Sequence, residues 1–135
     1  MAVLMRGAAI VLALWPAGVA AEAPALELAL DRARDVAEGC AATFVLSNRG
    51  SEALEALSLE AVIFDAAGRV ARLTLFDMGG VPAEARRVRE FVIPGAACDG
   101  LSAVLVNAVS ACAPGTAAAC ATPPALVSRA GLVLE

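Results

Sequence analysis

Four cysteines constrain this chain more than any other feature. They stand at Cys40, Cys98, Cys112 and Cys120, and none forms a CxxC pair with another. That spacing lacks the close pairs of a thioredoxin-type redox centre or of a four-cysteine zinc site. The start of the chain says which chemistry they meet. It opens Met1-Ala-Val-Leu-Met-Arg6, runs uncharged from Gly7 to Trp15, and closes with Pro16-Ala-Gly-Val-Ala-Ala21 before Glu22. One positive charge, a short apolar run and small residues at its end have the form of a secretory signal peptide. Val19 and Ala21 suit the residues before a cleavage site, so residues 1–21 are expected to be removed, with cleavage after Ala20 as the alternative. Pro16 and Gly18 interrupt the run short of the roughly 20 apolar residues that a spanning helix needs, so no stable membrane span is expected after cleavage. Export ends in an oxidising compartment, where an even number of cysteines in a small domain implies two disulfides.

Residues 22–135 are the length of one small domain. Short alternating runs fill it. Leu26, Leu28 and Leu30 alternate with Glu27, Ala29 and Asp31, and Ala42, Phe44 and Leu46 share one parity between Cys40 and Asn48. Further strands are expected at 57–64, 70–76, 88–93, 101–109 and 126–134. Turn formers separate them: Asn48-Arg-Gly-Ser51, the 77–82 loop, Pro94-Gly95 and an Ala/Pro/Gly/Thr stretch from 113 to 124. The charged stretch from Arg32 to Gly39 fits a helical turn or a loop. About seven short strands without long helices between them predict an all-β, antiparallel, immunoglobulin-like sandwich.

The hairpin at Asp65-Ala-Ala-Gly68 carries a sharper expectation. Gly68 suits the left-handed position of a type I turn with a G1 bulge. That turn pairs Phe64 with Val70 and Ile63 with Ala71. Leu57, Leu59, Ala61, Ile63, Ala71, Leu73 and Leu75 then share a core face. Val62, Phe64, Val70, Arg72 and Phe76 share the other, with Glu60 and Thr74. This mixed face, if open, is the candidate interaction site.

Asn48-Arg-Gly, the strand Leu57 to Phe64 with its Asp65-Ala-Ala-Gly68 hairpin, and Phe91-Val-Ile-Pro94 after a Pro82 loop together resemble the FxLYD-type immunoglobulin-like domains of secreted bacterial proteins. The resemblance spans residues 41–94, with Ala61 at the first aromatic position of the motif and Phe64 in place of its Tyr. It implies a fold and an interaction role, and no chemistry. The Ala/Arg bias with no Lys is the usage of a GC-rich Gram-negative bacterium, so the expected destination is the periplasm.

Strand direction predicts the disulfides. If consecutive strands alternate, Cys40 and Cys98 lie at one end of the sandwich and Cys112 and Cys120 at the other. Cys40–Cys98 and Cys112–Cys120 follow.

The residue inventory excludes much chemistry. The chain has no His and no Lys, which removes the usual bases beside a Ser or Thr nucleophile. Asp65, Asp77 and Asp99 are scattered turn formers. Asp31, Asp35 and Glu38 lack the EF-hand pattern, and Met78 alone cannot bind copper. No catalytic centre, metal or cofactor is expected. Residues 22–135 hold nine Arg against fourteen carboxylates, a net charge of −5 that makes nucleic acid a poor partner. Arg86, Arg87 and Arg89 form the one basic cluster. They are expected to pair with Glu60, Glu84 and Glu90 on a solvated face, with an anion or acidic-partner patch as the alternative. The expected role is a non-enzymatic adaptor that binds another envelope protein through the third/fourth-strand face or a free sheet edge. The alternative is a small apolar ligand or lipid held between the sheets.

Overall fold

Alternation drives most of the chain into strands, as the computed structural model shows for the residues it describes, 15–135. The charged start and most of the apolar run of the expected leader lie outside the described residues. Residues 15–23 are exposed and lack regular structure. Among the described residues no helix is long and apolar enough to cross a membrane.

Eight strands follow: β1 (Leu26–Val36), β2 (Gly39–Asn48), β3 (Ala56–Asp65), β4 (Val70–Asp77), β5 (Ala85–Pro94), β6 (Leu101–Ala113), β7 (Ala125–Ser128) and β8 (Val133–Leu134). One helical turn, α1 (Ala118–Ala121), lies in the Ala/Pro loop. The strands form two four-stranded sheets, ordered β5-β2-β1-β7 and β4-β3-β6-β8. Three departures from the sequence expectation stand out. The charged stretch after Asp31 continues β1 as far as Val36 and meets β2 across a two-residue loop, with Val36 paired to Gly39. The expected seventh strand is two strands, because the chain changes sheets at Arg129–Leu132. Both of these pair in parallel, β7 with β1 and β8 with β6, so the sheets are not purely antiparallel. The Ser128 hydroxyl holds the crossing, accepting from Leu134 N at 2.6 Å.

The core lies between the sheets. Leu28, Leu30, Phe44 and Leu46 meet Leu57, Leu59, Ile63 and Val104 there, all nearly inaccessible to solvent. Bulges decide which residues reach it. On β1 the ladder steps from Leu30 to Arg32 and skips Asp31, which turns Arg32 and Arg34 outward and lets Ala33 pack on the core. On β6 the skipped residues opposite β3 are Ser102, Asn107 and Ser110. Each donates a side-chain hydrogen bond to β3: Ser102 to Asp65 O at 2.7 Å, Ser110 to Ser58 O at 3.1 Å, and Asn107 to the Glu60 carboxylate. Short polar side chains thus anchor the positions where the ladder breaks.

Two close approaches fix the loops. Gly39 has φ 154°, and a Cβ there would lie 2.1 Å from Ile93 O, so only glycine lets β2 pair with the end of β5. Asn48 is 2 % exposed. Its amide donates to Glu52 O at 2.9 Å, Val81 O at 3.3 Å and Pro82 O at 3.2 Å, while its oxygen accepts from Gly50 N at 2.9 Å. The expected turn former is a buried clamp between two loops.

Both disulfides form with the predicted partners. Cys40–Cys98 joins β2 to the short 3-10 turn before β6, so it crosses between the sheets with Cα atoms 4.8 Å apart. Cys112–Cys120 ties the end of β6 to α1, with Cα atoms 5.8 Å apart. No free cysteine remains among the described residues.

Candidate interaction edge

The β3–β4 hairpin starts in the predicted register. Asp65 N donates to Arg69 O at 2.9 Å, Gly68 sits at φ 74°, and Phe64 pairs with Val70. One residue later the expectation fails. Ala71 bulges out of the ladder, so Ile63 faces Arg72 rather than Ala71. Because side chains alternate, that single bulge exchanges the two faces of the rest of β4. Leu73 then pairs with Val62 and Leu75 with Glu60 on the outer face, while Phe76 pairs with the core residue Leu59.

The five predicted face residues therefore part company. Val70 is exposed, Phe64 half-buried and Val62 buried at 8 % exposure, all on the outer face. Phe76 is a correction: it is buried, its ring 4.6 Å from Phe91 and 5.3 Å from Phe44. Arg72 is a second correction. It shares the inner face with Phe76, but at the open margin of the sheet it stays exposed. Leu73 and Leu75, assigned to the core by the sequence pattern, are 63 % and 62 % exposed. Phe76 explains the exchange, since only this register completes a three-ring cluster with Phe44 and Phe91. Burial alone argues the other way. Two leucines turned inward would gain about 1.5–3 kcal/mol each, against a similar sum for one Phe. β4 thus forgoes roughly one leucine of burial, and it does so on a free edge.

Among the described residues four strands have a free edge: β5, β7, β4 and β8. β7 has four residues and β8 two, too short to template another strand well. β5 is guarded by Arg86, Arg87, Arg89 and a final Pro94. β4 is eight residues long, and Arg72 is the single charge from Val70 to Phe76. It is the long, apolar, lightly guarded edge of the molecule.

Arginines stand at the two ends of that edge, Arg72 toward the hairpin and Arg87 and Arg89 toward the start of β5. The stacked Phe76 and Phe91 bring β4 beside β5 where the sheets meet. Arg87 and Arg89 share the inner face of β5 with Phe91, as Arg72 shares that of β4 with Phe76. Arg89 donates to Met78 O at 2.9 Å and is half-buried; Arg72 and Arg87 are exposed. Two of the three carboxylates expected to neutralise Arg86, Arg87 and Arg89 are engaged elsewhere. Glu90 bonds Arg34 at 2.8 Å and also accepts from Thr43, and Glu60 accepts from Asn107. Among the described residues the ion pairs involve Arg34, Arg49 and Arg129, and none involves Arg69, Arg72, Arg86, Arg87 or Arg89.

The concave features are elsewhere. An open groove of about 510 Å³ lies on the outer face of the β5-β2-β1-β7 sheet. Its Glu27 already bonds Arg49 at 2.5 Å and lies 3.9 Å from Arg129. An uncharged recess beside Cys112–Cys120, lined by Leu26, Leu57 and Val109, measures about 210 Å³. Pockets for drug-sized ligands run from about 300 Å³ upward.

Leu73 and Leu75 were missed as surface residues because the one signal, a bulge at a small neutral Ala71, leaves no mark on the apolar pattern. No protein-family model, curated protein or solved structure matches this chain, so the meaning of the edge rests on its own geometry.

Proposed function

We propose that this chain is a non-enzymatic interaction module of the bacterial envelope, an immunoglobulin-like β-sandwich exported by its leader and used as an adaptor or accessory protein. The observation that carries this reading is the free β4 edge with Leu73 and Leu75 two-thirds in solvent. An exposed apolar edge invites aggregation, and proteins that keep one use it or cover it. Two disulfides and a periplasmic address support each other, since bridges persist where thiols are oxidised. The resemblance to FxLYD-type domains points the same way. Ligand binding between the sheets is the weaker reading, because large side chains fill that space.

The test is photo-cross-linking in living cells that produce the full chain. A benzoylphenylalanine at position 73 or 75 should give a discrete adduct with another protein. The same probe at Val133, on the opposite edge, should give none. Equal labelling from both edges, or no adduct from β4, would count against the proposal.

A further inference from the structure

We infer that Cys112–Cys120 is a redox latch: a dithiol reductant opens it ahead of Cys40–Cys98 and frees residues 114–124 from the end of the sandwich, with the rest of the fold intact. The inference is independent of the β4 edge, which lies on the far side of β3 from β6.

The two bridges sit in different surroundings. Cys40 is sealed in the core, and its bridge joins the two sheets. A thiolate cannot reach Cys40, and attack on Cys98 would expel the Cys40 sulfur as an anion into apolar surroundings. Cys112 and Cys120 are both half-buried, and both line the uncharged recess of about 210 Å³. Thiol–disulfide exchange needs a sulfur that can be reached, and this bridge supplies one.

What the bridge holds is otherwise held weakly. Residues 114–124 run from the end of β6 to the start of β7. Among the described residues their backbone hydrogen bonds stay inside the segment: Ala117 N donates to Pro114 O at 3.0 Å and Cys120 N to Ala117 O at 2.9 Å. Its buried side chains are Ala117 and Ala119, which remove little apolar area from water. Cys112 is fixed differently, paired with Leu57 in the β3–β6 ladder. Cutting the bridge therefore releases Cys120 with its segment and uncovers Leu26 and Leu57, which the recess already touches. A sequence separation of 8 keeps the two thiols close enough to join again.

The exchange balances with the dithiol alone. One of its thiolates attacks a sulfur of the bridge, and the other sulfur leaves and takes up a proton. The second thiolate attacks the mixed disulfide and releases the first sulfur, which is protonated in turn. Two electrons and two protons pass to the protein, and the reductant ends as its own cyclic disulfide.

The test titrates the oxidised protein with dithiothreitol, quenches with acid, alkylates the free thiols and locates them by mass spectrometry. Cys112–Cys120 should open at about tenfold less reductant than Cys40–Cys98. At that dose hydrogen exchange at the Ala117 and Cys120 amides should rise about tenfold, while the β2–β5 and β3–β4 ladders keep their protection. Reoxidation should restore the slow exchange. Cys112→Ser combined with Cys120→Ser should show the fast exchange with no reductant present. Opening of both bridges at one dose, or of Cys40–Cys98 first, would overturn the inference. So would Ala117 and Cys120 amides that stay protected once both thiols are alkylated, or loss of the strand ladders along with them in either the reduced protein or the double variant.

Discussion

Phe76→Ala and Leu75→Ala, made separately, ask which face of β4 is inside. The two residues are neighbours, and alternation allows only one of them into the core. Phe76 is 4 % exposed and touches two other rings. Its truncation loses the transfer energy of the ring, the aromatic contacts and the packing around the hole, about 4 kcal/mol in all. Leu75 is 62 % exposed, and its truncation costs under about 1 kcal/mol. Small domains have about 5–15 kcal/mol in total, so the Phe76 variant remains folded but marginal. The assay is urea unfolding with the disulfides intact, followed by far-ultraviolet circular dichroism, because residues 22–135 contain no Trp or Tyr for fluorescence. At a slope of about 1.5 kcal/mol/M, the Phe76 midpoint should fall by about 2.7 M and the Leu75 midpoint by less than about 0.7 M. Equal losses, or a larger loss for Leu75→Ala, would mean that Ala71 does not bulge, and the exposed edge would disappear with it.

The two bridges should differ in worth. Their partners are 58 and 8 residues apart, which the chain-entropy model converts to about 4 and about 2.5 kcal/mol. Replacing Cys40 and Cys98 together by Ala should therefore cost more in urea midpoint than replacing Cys112 and Cys120. Asn48→Ala should cost about 2–3 kcal/mol, because three loop carbonyls lose a buried donor, and hydrogen exchange at Gly50 should speed up as its acceptor is lost.

Most strands and both disulfides were legible in the sequence, and for a connected reason. Period-two runs located the strands, turn residues separated them, and strand direction then placed the cysteines at opposite ends. The logic survived the later change of sheet because the cysteines precede it in the chain. What was not legible came from contacts between distant residues. Nothing local says that Phe76 will meet Phe44 and Phe91, so nothing local says that Ala71 must bulge. The alternation of Leu73 and Leu75 reads as core under either register. The split at Arg129–Leu132 was hidden for a similar reason: Leu126, Val127, Leu132 and Leu134 read as one apolar run until two different sheets claim its halves. For the candidate site, the hairpin and its outer Val62, Phe64 and Val70 were visible beforehand. The unpaired state of the arginines was not, since it depended on Glu90 reaching Arg34.

The paired course of β7 and β8 orders the assembly of the molecule in time. A ribosome or a translocation pore releases β1, β2 and β5 early enough to zip together, yet β3 waits for β6, and β1 waits for β7. The molecule is a purse whose drawstring runs through its last stitches. Until residues 125–134 emerge, the Cys40–Cys98 bridge and the facing core side chains alone join its two halves, and a chain arrested before that point would leave the outer flanks of β1 and β6 unpaired.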